Sequence, residues 1–367
     1  MSVAVLFGGP SPEHDISILT GLQSARALRT GDAVEAIYWA KNGEFHLVDS
    51  GLEASDFVTG VPRGARPLDL LARPGGGFVA EGGRFGKAKP LSVSAIVNAC
   101  HGGPGEDGTL QAALDLAGVR YTGPSAAGAA LGMDKVAFAA AISAAGLRSL
   151  PRHVMSPDGP PPDFAGPYIM KPRFGGSSIG IEILDDIDVA RALLRSSPHY
   201  RDGALLEPYL PDAVDLNIAV RVSPRTETSP IERPIRREAS GRIYTYAEKY
   251  LGGGEGLSSA PREIPAAIDT AVAAEIDRSA RRLVDVALVR GAPRIDFLLS
   301  GSDLFVNEIN TIPGAMGWYL WQAGGVPFAT LLADQVAEAQ RPTTHWNADG
   351  ADGSALRSAG SIAGKLA

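Results

Sequence analysis

The sequence predicts an N-terminal α/β domain with a doubly wound parallel sheet, followed by an α+β half. Three observations carry this. The apolar strands Val3 to Phe7 and Ser92 to Ala99 each run into a Gly-rich loop and then a helix. Later strands are spaced as hairpins. The 367-residue length, at about 150 residues per domain, leaves room for two or three units.

Val3 to Phe7 is a short apolar run ended by Gly8-Gly9-Pro10, and Ile16, Leu19, Leu22, Ala25 and Leu28 then recur at helical spacing. Val34 to Ala40 reads as a second strand and Ser92 to Ala99 as a third, followed by a Gly-rich loop and a helix over Thr109 to Ala117. The stretch from Gly60 to Lys89, rich in Gly, Pro and Arg, interrupts the alternation and reads as a surface excursion. A second unit opens with a helix from Lys135 through Ala145. Strands around Tyr168 to Lys171 and Ile179 to Leu184 follow, joined by Arg173 to Ser178. Further strand signals fall at Leu216 to Val222, Tyr244 to Tyr246, Arg294 to Leu299 and Leu304 to Ile309, with a helix over Ile268 to Leu288. Beyond Gln340 no periodicity is sustained, so 341–367 reads as a flexible tail.

Composition narrows the function. Charged residues are 20 % of the chain and sum to −7, with no basic block able to track a phosphate backbone, so nucleic acid is not the expected partner. The single cysteine, Cys100, rules out an intramolecular disulfide and leaves a thiolate zinc site without a second sulfur. No apolar run reaches the roughly 18 residues of a membrane span. The opening strand has no basic region before it, so a cytoplasmic location is expected.

Four segments could carry chemistry. If Gly301 to Asp303 is a hairpin loop, Asp296 faces Glu308 and Arg294 faces Asn310. Like charges across a strand pair are destabilising, so the pair implies a cation, and Mg²⁺ suits two carboxylates plus an amide oxygen. A solvated acidic hairpin is the alternative. Lys171, followed by Gly175-Gly176-Ser177-Ser178, offers a lysine, backbone N–H groups and hydroxyls for a phosphate, although a Gly-Ser hairpin needs no ligand. Between a strand and a helix, Gly103, Gly105 and Gly108 match a dinucleotide fingerprint, but Glu106 and Asp107 occupy the pyrophosphate position. Glu13, at the mouth of the first loop, could bind an ammonium group or simply favour a helix N-terminus.

Together these segments resemble the ATP-grasp superfamily, and within it the D-alanine:D-alanine ligase family. The likeness rests on Leu6 to Ser17, His101 to Gln111 with Met133-Asp134-Lys135, Met170 to Gly180, and Arg294 to Asp296 with Asn307 to Gly314. Tyr246 to Tyr250 resembles the family's mobile loop. The resemblance implies an ATP-grasp fold: 1–130 for the N-terminal domain, 131–215 for the central subdomain and 216–340 for the catalytic one. It implies ATP-dependent joining of two small amino acids through an acylphosphate, in a cytoplasmic homodimer of peptidoglycan synthesis.

By the same resemblance Asp296, Glu308 and Asn310 hold Mg²⁺, as two ions and with Mn²⁺ as a substitute. Lys135, Lys171, Ser178, Glu207, Tyr209, Leu210, Asp215 and Lys249 bind ATP. Glu13 holds the first substrate's ammonium, with His101 near its carboxylate. Ser177 and Tyr250 latch the lid, and Arg294 and the Gly314 N–H receive the oxyanion. Tyr319 and Leu320 contact the second substrate. The largest departure follows Pro313-Gly314, where small hydroxyl residues give way to Ala315-Met316-Gly317-Trp318-Tyr319-Leu320-Trp321. Tyr319 could supply the lost hydroxyl, or the aromatics could shape the pocket for a different amine in a specialised pathway.

Overall fold

The computed structural model describes residues 2–29, 34–80, 89–235, 261–343 and 347–359. The expected strand at Tyr244 to Tyr246 and the residues Lys249 and Tyr250 lie outside them.

The N-terminal sheet has seven strands: β1 (Val3–Gly8), β2 (Val34–Trp39), β3 (Phe45–Val48), β4 (Arg66–Leu71), β5 (Gly77–Ala80), β6 (Lys89–Pro90) and β7 (Ile96–Asn98), in the order β6-β5-β4-β3-β2-β1-β7. Only β1, β2 and β7 run parallel; β2 through β6 are joined antiparallel. The parallel reading therefore holds at the loop-and-helix end alone, and Gly60 to Lys89 contributes strands rather than a surface excursion. Its alternation is short and broken by Pro67 and Asp69, which hides it, yet Leu68 and Phe78 are buried in the sheet's core. The expected third strand shortens to β7, because Val93 and Ser94 only lead into it.

Both faces of this sheet are covered, as strand alternation requires. Val3, Val5 and Phe7 pack on Ile18 and Leu22 of helix α1 (His14–Leu28), while Ala4 and Leu6 pack on Leu110 and Leu114 of α2 (Thr109–Ala117). Gly8, at φ +93°, ends β1 where a Cβ would fall 2.3 Å from the Trp39 carbonyl oxygen. Ser17 Oγ accepts from Gly8 N (2.7 Å) and donates to Ala99 O (2.8 Å), stitching the first loop to the end of β7.

Helices α3 (Ala126–Met133) and α4 (Lys135–Ala144) meet at an angle of 102°, and among the described residues no single helix is long and apolar enough to cross a membrane. Asp134 caps α4 through Val136 N at 2.9 Å. The central sheet, β10-β9-β11-β8, contains β8 (His153–Val154), β9 (Tyr168–Pro172), β10 (Glu182–Leu184) and β11 (Ala204–Pro208), with α5 (Ile187–Ser196) beside it. The C-terminal sheet, β13-β12-β16-β17, contains β12 (Val214–Arg221), β13 (Glu227–Thr228), β16 (Arg294–Ser300) and β17 (Asp303–Asn310). Beside it lie the ribbon of β14 (Arg233–Pro234) with β15 (Arg262–Glu263), and α6 (Thr270–Val286). All pairings in these sheets are antiparallel.

The packing units cross the expected boundaries. Phe138 and Ile142 of α4 sit in one core with Leu216, Leu283 and Phe297, so α4 belongs under the C-terminal sheet. A boundary at 215 would cut β12. The last elements among the described residues are α7 (Trp318–Ala323), α8 (Phe328–Ala339) and α9 (Ser354–Ala359). Leu332 of α8 joins the N-terminal core, whereas α9, within the expected tail, buries no residue.

The hairpin that carries the carboxylates differs from the expected loop in an instructive way. Ser300 pairs with Asp303, so the turn is Gly301-Ser302 and not three residues. Phe297 then pairs with Val306, but Asp296 pairs with Glu308, leaving Asn307 as the extra residue of a bulge. The bulge restores the register that the shorter turn had shifted, so Asp296 still opposes Glu308 and Arg294 still opposes Asn310.

Candidate active site

Asp296 and Glu308 lie side by side on adjacent strands at the floor of a cleft between the central and C-terminal sheets. The Asp296 carboxylate accepts from Arg294 Nε (2.6 Å) and Nη2 (2.7 Å) and from Asn310 Nδ2 (3.0 Å). Burial works to strip Arg294 of its charge, but the adjacent Asp296 carboxylate outweighs it and holds the guanidinium firmly protonated. The set fits a hard divalent cation: two carboxylates in register, with an amide that presents its oxygen when turned over. Arg294 now supplies the positive charge that the pair requires.

Lys171, on β9, reaches the same cleft. Its Nζ donates to Glu207 Oε2 (2.6 Å) and Asn307 Oδ1 (3.2 Å), so the bulged residue of β17 helps hold the lysine. Glu207 also accepts from Arg152 Nε (2.7 Å), and Arg152 donates to the carbonyls of Lys135 and Asn307. Burial pushes the Glu207 carboxyl up, but Lys171 and then Arg152 more than offset this and keep it ionised. Glu207 lines the cleft and anchors the lysine, and Ser178, Tyr209, Leu210 and Asp215 lie along the same cleft. Ser177 and Ser178 take left-handed φ of 54° and 59°, a conformation costly for residues with a Cβ and common in loops that serve a ligand.

A smaller chamber adjoins the cleft on the N-terminal side, lined by Glu13, His101, Glu106 and Lys135. Ser177 Oγ donates to Glu13 Oε1, tying the Gly-Ser loop to the mouth of the first sheet. Lys135 Nζ donates to Gly175 O (2.6 Å), and its pKa is lowered by burial above all.

His101 lines this chamber, but both ring nitrogens are engaged. Nδ1 lies 2.8 Å from Ile312 O and Nε2 lies 2.8 Å from Thr20 Oγ1. A carbonyl can only accept, so Nδ1 carries the proton and the Thr20 hydroxyl donates to Nε2. Burial lowers the ring's pKa to about 4, so it is neutral. His101 thus stays at the chamber wall where it was expected, and with Thr20 it also braces the chain at 312–315, where Thr20 Oγ1 accepts from Ala315 N at 3.1 Å. Glu106 braces the same segment, accepting from Thr311 Oγ1 (2.9 Å), Ile312 N (2.8 Å) and Gly102 N (2.8 Å). Its carboxyl is pushed up to about 7 by burial and then by the nearby Glu13 charge.

The braced segment turns left-handed over three successive residues, Ala315 (φ 52°), Met316 (φ 54°) and Gly317 (φ 61°). That turn separates Gly314, which lines both chambers, from Tyr319, which lines the larger cleft. Tyr319 Oη donates to Glu232 Oε2 at 3.2 Å; burial, then the Glu232 charge, pushes its hydroxyl up to about 12. Leu320 is corrected to a core residue, fully buried with Ala219, Ala292 and Leu331 rather than facing substrate. Trp318 packs on Phe328, and Trp321 is buried with the Arg221 guanidinium 4.9 Å from its ring centre, so neither shapes the cleft. Helical periodicity turns them inward, and only Tyr319 of the aromatic run reaches the site.

Sequence reasoning missed Arg152, Thr20, Glu232 and Arg262. None sits in a motif. Thr20 is one of several polar residues on the buried face of α1, with His14, Ser17 and Ser24, so nothing in the sequence singles it out.

Two antiparallel sheets closing on a cleft, with two lysines on one side and an acidic hairpin on the other, define the class as ATP-grasp, the fold of ATP-dependent ligases. The comparisons narrow it. The model of the D-ala D-ala ligase N-terminus matches residues 2–124 and that of the D-ala D-ala ligase C-terminus residues 162–337. A D-alanine–D-alanine ligase from Bradyrhizobium sp. (strain ORS 278) is 30 % identical over 351 residues, covering 92 % of this chain and 94 % of that protein. The solved D-alanine–D-alanine ligase of Helicobacter pylori superposes with a TM-score of 0.72 at 24 % identity, covering 94 % of this chain and 100 % of that one. A D-Ala:D-Ser ligase of Enterococcus faecalis gives 0.74 at 20 % identity, covering 92 % of this chain and 99 % of that one. The chain belongs to the D-alanine–D-alanine ligase family.

Proposed function

We propose that this chain joins two molecules of D-alanine, using ATP to activate the first as an acylphosphate. One observation carries the reading. The two chambers meet at Arg294, Glu308, Asn310 and Gly314, so the groups suited to phosphoryl transfer and those suited to an oxyanion share one junction.

The donor amino acid occupies the smaller chamber, with its ammonium toward Glu13. ATP lies in the cleft, its base along Tyr209 and Leu210, its ribose near Asp215 and its phosphates toward Lys171, Lys135 and Ser178. Mg²⁺ on Asp296, Glu308 and Asn310, probed equally by Mn²⁺, would neutralise the charge gathering on the transferred phosphoryl group. The donor carboxylate takes the γ-phosphoryl group. The acceptor amine then attacks the acyl carbon, and Arg294 and the Gly314 N–H receive the developing oxyanion. Ser177, with Tyr250 and Lys249 from beyond the described residues, keeps water from the acylphosphate. The reading brings with it a cytoplasmic homodimer, which light scattering checks.

ADP release measured with D- and L-amino acids, singly and in pairs, tests the proposal. D-alanine should give the highest rate, with a dipeptide and one ADP per peptide bond. ADP release indifferent to amino acids would refute it.

A further inference from the structure

Across the C-terminal sheet the register forms a single row. Glu308 pairs with Asp296, Asp296 with Asn217, and Asn217 bridges to Glu232. At about 5 Å per strand, Glu232 stands roughly 10 Å from Asp296. The row's far end is therefore a separate polar centre in the same cleft. Glu232 is 4 % exposed and accepts from Asn217 Nδ2 (3.1 Å) and Tyr319 Oη (3.2 Å), with Arg262 Nη1 at 3.2 Å. The Arg262 guanidinium stacks over the Tyr319 ring at 4.0 Å from its centre, and its side chain keeps 16 % of its exposure.

Among the described residues, the cations lining this cleft already have assignments, with one exception. Arg294 is bidentate on Asp296 beside the oxyanion position, and Lys171 is held by Glu207 and Asn307. Arg262 is the described cation whose fixed plane belongs to neither the metal pair nor the phosphate lysine. An acceptor amino acid approaching Arg294 with its amine carries its own carboxylate, and that carboxylate must meet a positive group to leave water. A guanidinium pre-set by an ion pair and an aromatic face meets a carboxylate with little loss of rotamer freedom.

We propose that Arg262 receives the acceptor's α-carboxylate, positioned by Glu232 and Tyr319, and so restricts this enzyme to acceptors that are α-amino acids. This rests on the ligase reading above and names the recognition that the missing small hydroxyl residues leave unassigned. It follows that an amine without a carboxylate gains nothing from Arg262.

Hydroxylamine supplies the test. It attacks the acyl carbon, forms a C–N bond as the C–O bond to phosphate breaks, and releases a hydroxamate and inorganic phosphate. In Arg262→Gln, with Mg-ATP and saturating donor, the ratio of kcat/KM for acceptor D-alanine to the hydroxamate rate should fall roughly 10- to 100-fold, carried by the acceptor KM. Arg262→Lys should recover part of it. An unchanged ratio, whether both rates fall together or neither moves, overturns the proposal. Failure of the ligase reading looks different: wild-type protein would then make neither dipeptide nor hydroxamate.

Discussion

Thr20, on the first helix of the N-terminal domain, holds the main-chain N–H of Ala315 at 3.1 Å across almost the whole length of the sequence. The same hydroxyl faces His101 Nε2 at 2.8 Å. One side chain thus sets the position of the oxyanion-side turn from the other domain. Thr20→Val keeps the shape but strands a buried N–H and a ring nitrogen, each worth about 1–3 kcal/mol when unmatched. We expect a lower melting temperature and a drop in kcat exceeding the change in KM for ATP. Calorimetry and steady-state kinetics check both.

Glu308→Gln removes one of the two charges on the cleft floor while keeping the size of the side chain. ATP turnover should be lost at any Mg²⁺ concentration, with the circular dichroism spectrum unchanged. Normal turnover would mean that the acidic pair does not hold the metal.

Glu106 predicts a pH effect. Burial and the neighbouring Glu13 charge push its carboxyl in the folded protein up to about 7, from the ordinary 4.5 of a glutamate. The folded state therefore binds the proton more tightly, and the stability linked to this group is complete below about 4.5 and lost as pH rises through about 7. Wild type should lose thermal stability between pH 5 and pH 8 relative to Glu106→Gln, which cannot titrate there. Parallel melting curves for the two proteins would contradict the assignment.

Tyr319→Phe deletes the hydroxyl that Glu232 accepts and leaves the ring beneath Arg262. The KM of the acceptor should rise more than that of the donor. Equal changes would place Tyr319 outside the acceptor's surroundings.

The reach of the sequence followed the range of the interactions. Strands with strong apolar runs, such as Val3 to Phe7, and the opposition of Asp296 to Glu308 were legible because alternation and turn geometry are local. The opposition survived an incorrect loop length only because the bulge at Asn307 compensated. The antiparallel strands β4 and β5 were hidden by Pro67 and by short alternation. Arg152 shows a different limit: its three acceptors, Lys135, Glu207 and Asn307, come from three separate elements, and nothing in Leu150-Pro151-Arg152 announces them. Leu320 and Trp321 look available in the sequence, but helix periodicity turns them into the interior.

The left-handed bend at Ala315, Met316 and Gly317 divides the catalytic strand's work. Before it lie the two acids and Gly314, to which we assign the oxyanion; after it lies Tyr319, which we assign to the surroundings of the incoming amine. A change at position 319 can therefore reshape the far wall of the cleft while the acidic hairpin on the near side of the bend keeps its register.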